Sequence, residues 1–320
     1  MESNEDSLIS RYFAPLATDP GAFGLRDDAA VLKAAGEDIV VNTDAIVEGV
    51  HFLPDDPPDT VARKALRTNL SDLAAKGAEP AGFVLTLALA SQDEAWLAAF
   101  ARGLGEDAEA YGCPLLGGDT VSTPGPLMIS VTAFGRVPDG QIVRRAGAQP
   151  GDRIVVTGTI GDAALGLAVL QGRLASSNEA PLIARYRVPE PRCALARAVR
   201  EHASASMDVS DGLAGDLAKL CKVSGCAAVI EATKLPLSAP ASALLEAGMI
   251  GIETLVAGGD DYEILCTMPE ARLASFMALA KQAGVAATVI GEIIPGNAPP
   301  RFLDADGQDI VLKRHSYSHF

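Results

Sequence analysis

Apolar and polar positions alternate along this chain in two different periods, and both periods occur in each half. A nearly continuous apolar run predicts a buried strand at residues 81–90, apolar and polar residues alternate in a second predicted strand at 127–134, and a third strand is predicted at 153–157. Apolar residues at helical spacing predict amphipathic helices over residues 60–76 and 94–111. The pattern therefore predicts an α/β fold of the mixed α+β kind, without fixing the order of the strands.

A turn-rich break at residues 147–152 interrupts this pattern near the middle of the chain. A length of 320 residues is enough for two domains, each with its own core. We therefore expect an N-terminal domain of residues 1–147 and a C-terminal α/β domain of residues 148–320.

A polar triplet, Asn42, Thr43 and Asp44, directly follows an apolar run at residues 39–41. We expect that run to end a short buried strand, with the triplet at its carboxyl end, where scaffolds commonly carry functional groups. Carbonyl, hydroxyl and carboxylate oxygens are hard ligands that suit Mg²⁺. The alternative is that Asp44 simply caps a turn.

Acidic residues recur across both halves of the chain, mostly where a predicted strand leads into a turn, as where Gly117-Gly118-Asp119 follows the apolar Leu115-Leu116. Each could belong to an ordinary polar turn, and Asp72, in the middle of a predicted helix, could face solvent. If these residues converge on one cleft, their mutual repulsion would make them take up protons or bind divalent cations. The residues concerned are Asp28, Asp44, Asp72, Asp119, Asp208 and Asp211.

Charge and composition limit the partners of the protein. The formal net charge is −15 and there is no basic patch, so we expect no nucleic acid partner. The five cysteines include no CxxC pair, which favours a reducing compartment over a disulfide framework. The acidic N-terminus lacks a signal-peptide pattern, and the longest apolar run, at residues 83–90, is too short to span a bilayer. We therefore expect a cytoplasmic protein without a membrane partner.

Short motifs follow one another over nearly the full length of the chain. They are Asp27-Asp28-Ala29-Ala30; Asn42-Thr43-Asp44 with Glu48-Gly49-Val50-His51-Phe52; Asn69-Leu70-Ser71-Asp72-Leu73-Ala74; Gly117-Gly118-Asp119-Thr120; Arg145-Ala146-Gly147-Ala148 with Pro150-Gly151-Asp152; Asp208-Val209-Ser210-Asp211-Gly212-Leu213; Gly258-Gly259 with Asp261-Tyr262-Glu263; and Tyr317-Ser318-His319-Phe320. Each motif alone is weak, but the ordered set resembles the thiamine-monophosphate kinase family of the aminoimidazole-ribonucleotide-synthetase-like superfamily.

This resemblance implies an activity and an architecture. The implied reaction is the Mg²⁺-dependent, in-line transfer of the γ-phosphoryl group of ATP onto thiamine monophosphate, the last step of thiamine diphosphate biosynthesis. ATP would be the co-substrate and several Mg²⁺ ions the cofactors. The N-terminal mixed sheet would form the interface of a homodimer, and the C-terminal α/β domain would close the cleft.

The resemblance also implies roles for individual residues. One group of metal ligands would be Asp28, Asp72 and Asp208; another would be Thr43, Asp44 and Asp119 with Asn42; and Asp211 would bind an additional ion. Gly118, Asp119, Arg145 and Ser210 would contact ATP, while His51, Asp260 and Tyr317 would line the thiamine monophosphate pocket. No general base is implied, because metal ions and Arg145 suit a reaction limited by charge neutralisation and positioning.

Two positions depart from the family pattern: Arg26 stands where Gly is usual, and Asp260 stands where Glu is usual. His51 could instead be a core histidine, and Tyr317 a packed anchor. The rival functions are a superfamily enzyme with another acceptor, a metal-dependent phosphohydrolase, and a non-catalytic nucleotide-binding protein. A selenophosphate-type enzyme would need a reactive cysteine or selenocysteine near the N-terminus, whereas the first cysteine here is Cys113.

Overall fold

A computed structural model describes residues 23, 26–27, 30–34, 36–90, 93–314 and 316. Two of the candidate site residues, Asp28 and Tyr317, lie outside the described residues.

The first half of the described chain forms a five-stranded mixed sheet, as the family resemblance implied. Its strands follow the order β1-β2-β5-β3-β4, in which only β3 and β4 pair in parallel. Two helices, α1 and α2, accompany this sheet. The bounds are β1 (Ala30–Ala34), β2 (Glu37–Val47), α1 (Pro58–Ala75), β3 (Glu79–Leu89), α2 (Glu94–Ala110), β4 (Leu115–Ser122) and β5 (Met128–Pro138).

The second half forms a six-stranded sheet in the order β11-β8-β10-β6-β9-β7, in which only β11 and β8 pair in parallel. Its strands are β6 (Arg153–Thr157), β7 (Ala205–Asp208), β8 (Ala227–Glu231), β9 (Ile264–Met268), β10 (Ala287–Ile294) and β11 (Arg301–Leu303). Its helices are α3 (Asp162–Leu170), α4 (Ala180–Arg187), α5 (Ala196–His202), α6 (Leu213–Ser224), α7 (Ala239–Glu246), α8 (Ile252–Val256) and α9 (Glu270–Gln282). Short 3₁₀ turns lie at Cys193–Leu195 and Ala232–Lys234.

The helix α1 is the central element of the fold. It contacts β2 and β5 of the first sheet and β7 and β9 of the second. Its apolar stripe, which includes Leu66, Leu70 and Leu73, is fully buried, and Gly77 with φ at 71° follows its last turn. The sequence predicted this helix at residues 60–76, but its burial on nearly all sides comes from its position between two sheets.

Two strands are longer than the sequence predicted, and the difference moves candidate site residues. β2 does not end at residue 41, because its antiparallel pairing with β5 continues without a break from Glu37 to Val47. The triplet Asn42, Thr43 and Asp44 therefore lies within a strand rather than at its carboxyl end. Likewise, Gly117–Asp119 was expected in a turn but lies within β4, paired with β3.

Two further features concern the cysteines and the helices. Cys221 and Cys226 are buried in the core around the second sheet. Among the described residues, no helix combines the length and the apolar character needed to cross a bilayer.

Candidate active site

A cavity of about 680 Å³ opens between the two halves of the molecule. One wall comes from β2, α1 and the loop after β2. The other comes from α3, the loop after β7, α8 and the loop at residues 257–262. Of the residues singled out in the sequence, those lining this cavity are Thr43, Asp44, His51, Asp72, Asp208, Ser210, Asp211 and Asp260.

Four other candidates are not among the described residues that line the cavity: Asn42, Gly118, Asp119 and Arg145. Asn42 is buried directly behind the wall. The backbone N–H of Arg145 donates to Asp27 at 2.9 Å, next to the predicted ligand Asp28. Gly118 and Asp119 lie on β4, the exposed edge strand of the first sheet.

The register of the first sheet separates Asp119 from Asp44. Asp44 pairs with Val131, Val131 with Leu85, and Leu85 with Gly118, which precedes Asp119. Three strand spacings of about 4.8 Å therefore put roughly 14 Å between the two backbones. Within one chain, Asp44 and Asp119 cannot share a metal ion at that separation.

A hydrogen-bonded group joins β2 to α1 at the floor of the cavity. Asn42 Nδ2 donates to Asp72 Oδ2 at 2.9 Å and to Asn69 Oδ1 at 3.2 Å, and the N–H of Asp44 also donates to Asn69 Oδ1 at 3.2 Å. Asp72 is thus a helix-borne carboxylate facing the site, not a solvent-facing residue; it is 9% exposed. Asn69 had no role in the sequence analysis, although it lies three residues before Asp72 and so on the same helix face.

Alternate residues of β2 point to opposite faces of the sheet, so the side chains of Asn42, Thr43 and Asp44 do not all face the same way. Asn42 and Asp44 contact α1, whereas the Thr43 hydroxyl donates to the Val131 carbonyl at 3.0 Å and accepts from Thr132 at 2.9 Å. His51 lines the cavity, and its Nδ1 accepts a hydrogen bond from the Val47 N–H at 3.0 Å. This contact fixes the ring of His51 at the wall.

The carboxylates brought together here perturb one another. Burial raises the pKa of Asp208 to about 7, with the charges of Asp216 and Asp44 adding to the effect. Asp44 is open to the cavity yet surrounded by protein, and this partial burial, followed by the charge of Asp211, raises its pKa to about 6. The pKa of Asp72 is raised well above its ordinary value, first by burial and then by Asp208 and Asp44. Such perturbation of several acids in one cleft is typical of a functional site.

Asp216 holds the loop that carries Ser210 and Asp211. Its Oδ2 accepts hydrogen bonds from the backbone N–H groups of Ser210, Asp211 and Gly212 at 3.0, 3.0 and 3.1 Å. Lys219 donates to its Oδ1 and also to Asp211. The sequence analysis missed Asp216, although an Asp in the first turn of a helix, just after an acidic loop, is the signal of such a cap.

The donor set fits hard divalent cations such as Mg²⁺. Carboxylate oxygens line the cavity, and among the described residues the buried Asn42 Oδ1 has no hydrogen-bond donor. Within that same part of the chain, however, no three His, Cys, Asp or Glu side chains form a ready metal cage. This arrangement suits Mg²⁺, which commonly takes one or two carboxylates and completes its shell with water and phosphate oxygens.

The fold and this cavity belong to a known class of proteins. The family model described as AIR synthase related protein, N-terminal domain, matches residues 26–137, and the model for the C-terminal domain of the same family matches residues 149–300. The chain is therefore an AIR synthase related protein.

Similar proteins narrow that class. The thiamine-monophosphate kinase of Caulobacter vibrioides is 45% identical over 317 residues, covering 97% of this chain and 89% of the relative. A solved thiamine-monophosphate kinase from Stenotrophomonas maltophilia K279a is 38% identical with a TM-score of 0.79, covering 97% of this chain and 99% of the other. The structure of AaThiL complexed with AMPPCP and TMP is 31% identical with a TM-score of 0.81, covering 94% and 97%. The chain belongs to the thiamine-monophosphate kinase family, and it is an enzyme of the kinase class.

Proposed function

We propose that this enzyme transfers the γ-phosphoryl group of ATP directly onto the phosphate of thiamine monophosphate, giving thiamine diphosphate and ADP as the last step of thiamine diphosphate biosynthesis. The relative solved with AMPPCP, an analogue of ATP, and TMP supports ATP and thiamine monophosphate as the two substrates. The observation in this chain that carries the proposal is that the two walls bring four acidic side chains to one cavity, namely Asp44, Asp72, Asp208 and Asp211. A group of acids of this charge repels phosphates unless divalent cations are bound.

Several Mg²⁺ ions are the proposed cofactors. When bound, they would neutralise the charge on the phosphates and align them. The chain would supply the oxygen ligands: Asp72 and Asp208 with the predicted Asp28, Asp44 and Thr43 with Asn42, and Asp211 for an additional ion. The raised pKa values of Asp44 and Asp208 support this assignment, because burial first, and the charges of neighbouring acids second, disfavour the ionised carboxylates unless a cation binds.

The remaining candidates position the two substrates. Ser210, held by Asp216, lies beside the acidic wall and suits a contact with the ATP phosphates. Gly118 and Arg145 are proposed for ATP on the motif alone. His51 and Asp260 lie at the cavity wall and would contact thiamine monophosphate, with Tyr317 expected to complete that pocket. The attacking group is already an anionic phosphate, so positioning suffices and we propose no general base.

We also propose that the enzyme is a cytoplasmic homodimer, with a domain boundary at residues 147–148 and the first sheet at the interface. The edge strand β4 is exposed along its whole length and carries the exposed apolar side chains of Leu115, Leu116 and Val121. An edge of this kind is a typical pairing surface. Because Asp119 and Asp44 of one chain are too far apart to share an ion, Asp119 of one copy would complete the site that contains Asp44 of the other.

A single incubation tests the function. The enzyme is mixed with ATP, Mg²⁺ and thiamine monophosphate, and the products are separated by chromatography, beside a tube without thiamine monophosphate. We expect thiamine diphosphate and ADP in equal amounts, little ADP in the second tube, and no product with Asp208→Asn. ADP and free phosphate in both tubes would instead identify a hydrolase. Absence of product in both tubes, with folded protein, would also reject the proposal.

A further inference from the structure

A buried lysine stands directly behind the cavity wall. Lys64 lies on α1 and its side chain is only 2% exposed. Its Nζ donates to Asp260 Oδ2 at 2.7 Å and to the His51 carbonyl at 2.8 Å, and it lies 3.9 Å from the centre of the Tyr186 ring. All three partners line the cavity, whereas Lys64 itself does not. Lys64 therefore touches the cavity only through three residues of its wall.

Its main partner, Asp260, is held in an unusual and well-defined position. The backbone of Asp260 has φ at 70°, a left-handed conformation that costs energy for a residue with a side chain. The N–H of Asp260 donates to the Ser210 carbonyl at 2.8 Å, and the Tyr262 hydroxyl donates to Asp260 Oδ1 at 3.3 Å. With Oδ2 bound to Lys64, both carboxylate oxygens have a fixed partner, while the side chain remains 27% exposed.

The Lys64–Asp260 pair also joins parts of the wall that come from distant regions of the chain. Lys64 and His51 belong to the first half, while Asp260 and Tyr186 belong to the second. Tyr186 contributes to the same junction, since its hydroxyl donates to the His51 carbonyl at 3.4 Å. One ammonium group therefore fixes the relative positions of the residues expected to hold the acceptor.

The Lys64–Asp260 pair differs in charge from the four acidic residues Asp44, Asp72, Asp208 and Asp211 elsewhere in the cavity. A buried ammonium requires a compensating anion, and Asp260 supplies it, so the pair is neutral as a unit. A paired carboxylate is a poor ligand for a metal ion, because one oxygen is already occupied by a strong donor. It can still face a diffuse organic cation such as the thiazolium ring of thiamine monophosphate through its exposed edge.

We propose that Lys64 is a positioning residue for the acceptor substrate, acting through Asp260 and not through the metal-bound phosphates. The inference rests on the proposed function, because it takes the Asp260 side of the cavity as the thiamine side. It predicts that loss of Lys64 weakens the binding of the acceptor substrate far more than the binding of ATP.

Kinetics of Lys64→Met, which keeps the length of the side chain but removes the charge, test this directly. We expect the KM for thiamine monophosphate to rise by about tenfold or more, with the KM for ATP changed by less than about twofold. Calorimetric binding of thiamine monophosphate to the enzyme without ATP should weaken by the same factor. Equal increases in both KM values, or unchanged values, would overturn the proposal.

A double variant separates positioning from folding. Lys64→Met alone leaves Asp260 without its buried cation, and Asp260→Asn alone leaves an unpaired buried ammonium, so each single change should lower the melting temperature. The double variant Lys64→Met/Asp260→Asn removes both charges and should recover part of that loss. If Lys64 acts through Asp260, adding Lys64→Met to Asp260→Asn should leave the KM for thiamine monophosphate unchanged. A further increase of severalfold would contradict the proposal, and this comparison holds even if Lys64→Met alone folds poorly.

Lys76 provides a matched control for the loss of a buried lysine. It directly follows the last residue of α1 and, like Lys64, is buried, but it contacts Asp27 and the Ser206 carbonyl, neither of which lines the cavity. Lys76→Met should lower the melting temperature without a selective increase in the KM for thiamine monophosphate. The same selective increase in Lys76→Met would show a general effect of destabilisation and reject the assignment. If the wild-type enzyme does not phosphorylate thiamine monophosphate at all, the proposed function fails. If the wild-type enzyme is active and Lys64→Met has the same KM values, the proposed function stands and this inference alone fails.

Discussion

Asp208 illustrates how the cavity determines the chemistry of single residues. It ends β7, is 3% exposed, and has a pKa of about 7, where an ordinary aspartate has 3.8. The same carboxyl group in a surface turn would be fully ionised at neutral pH. Here burial and the neighbouring acids hold a proton until a cation replaces it, which is the behaviour expected of a site that binds metal with its substrate.

This perturbation makes a prediction about stability without metal. Because the folded state holds a proton on Asp208 that the unfolded state has lost, the contribution of this group to stability decreases as the pH rises from about 4 to about 7. In chelator, wild-type protein should therefore lose stability relative to Asp208→Asn between pH 5 and pH 8, by an amount on the order of 2 kcal/mol. Denaturant unfolding at the two pH values measures this difference.

Magnesium should act in the opposite direction at pH 8. Binding to the folded wild-type protein raises its free energy of unfolding, and Asp208→Asn should respond less. In the metal-free experiment, wild-type protein and Asp208→Asn should differ in how their free energy of unfolding changes with pH. The same pH dependence for both proteins would contradict the assignment of the raised pKa to Asp208.

At the scale of elements, the packing of α1 against α2 depends on a small residue. A methyl group on Gly103 of α2 would lie 2.5 Å from the carbonyl oxygen of Asp59 in α1, closer than any normal contact. Gly105, two residues further along the same helix, has nothing within 4 Å of that position. The two glycines therefore form a matched pair in one helix.

Alanine at these two positions should have opposite effects on stability. Gly103→Ala forces the helices apart and should lower the free energy of unfolding by about 1–3 kcal/mol. Gly105→Ala removes backbone freedom without a clash and should raise it by about 0.5–1 kcal/mol. Urea unfolding of the two variants measures both effects. Equal effects of the two substitutions would mean that α1 and α2 do not approach each other as the structure has them.

At the scale of the whole molecule, the distance between Asp44 and Asp119 makes the proposed dimer testable. Asp44→Asn and Asp119→Asn should each be inactive while remaining folded. If each site takes Asp44 from one copy and Asp119 from the other, a mixed dimer of the two variants contains one intact site. Co-expression in equal amounts should then recover about a quarter of the wild-type activity, since half of the dimers are mixed.

The controls distinguish this arrangement from a site within one chain. Each variant expressed alone gives the background, and co-purification of two differently tagged copies reports whether mixed dimers form. Mixed dimers without recovered activity would contradict a site shared between two copies, whereas activity of Asp119→Asn expressed alone would give Asp119 no role.

Much of this molecule could be predicted from local sequence. The helix at residues 60–76 was predicted within two residues of each end, because its apolar stripe, the prolines before it and Gly77 after it act locally. The strand at residues 153–157 was predicted at its observed bounds for the same reason. The ordered motifs identified the family, and four of the acidic residues that line the cavity, Asp44, Asp72, Asp208 and Asp211, were singled out by their chemistry.

Other features depended on residues far apart in the chain. The predicted end of β2 was wrong, because pairing with β5, some ninety residues away, extends the strand past its apolar part. In the sequence, nothing distinguishes Lys64 from the other polar residues of its helix, and only the folded chain brings it to Asp260, 196 residues further on. Sequence by itself determined the elements and the kinds of functional group in this protein. The order of the strands, the separation of Asp119 from Asp44 and the partner of Lys64 were decided by tertiary structure, because each depends on long-range pairing and burial that no local pattern encodes.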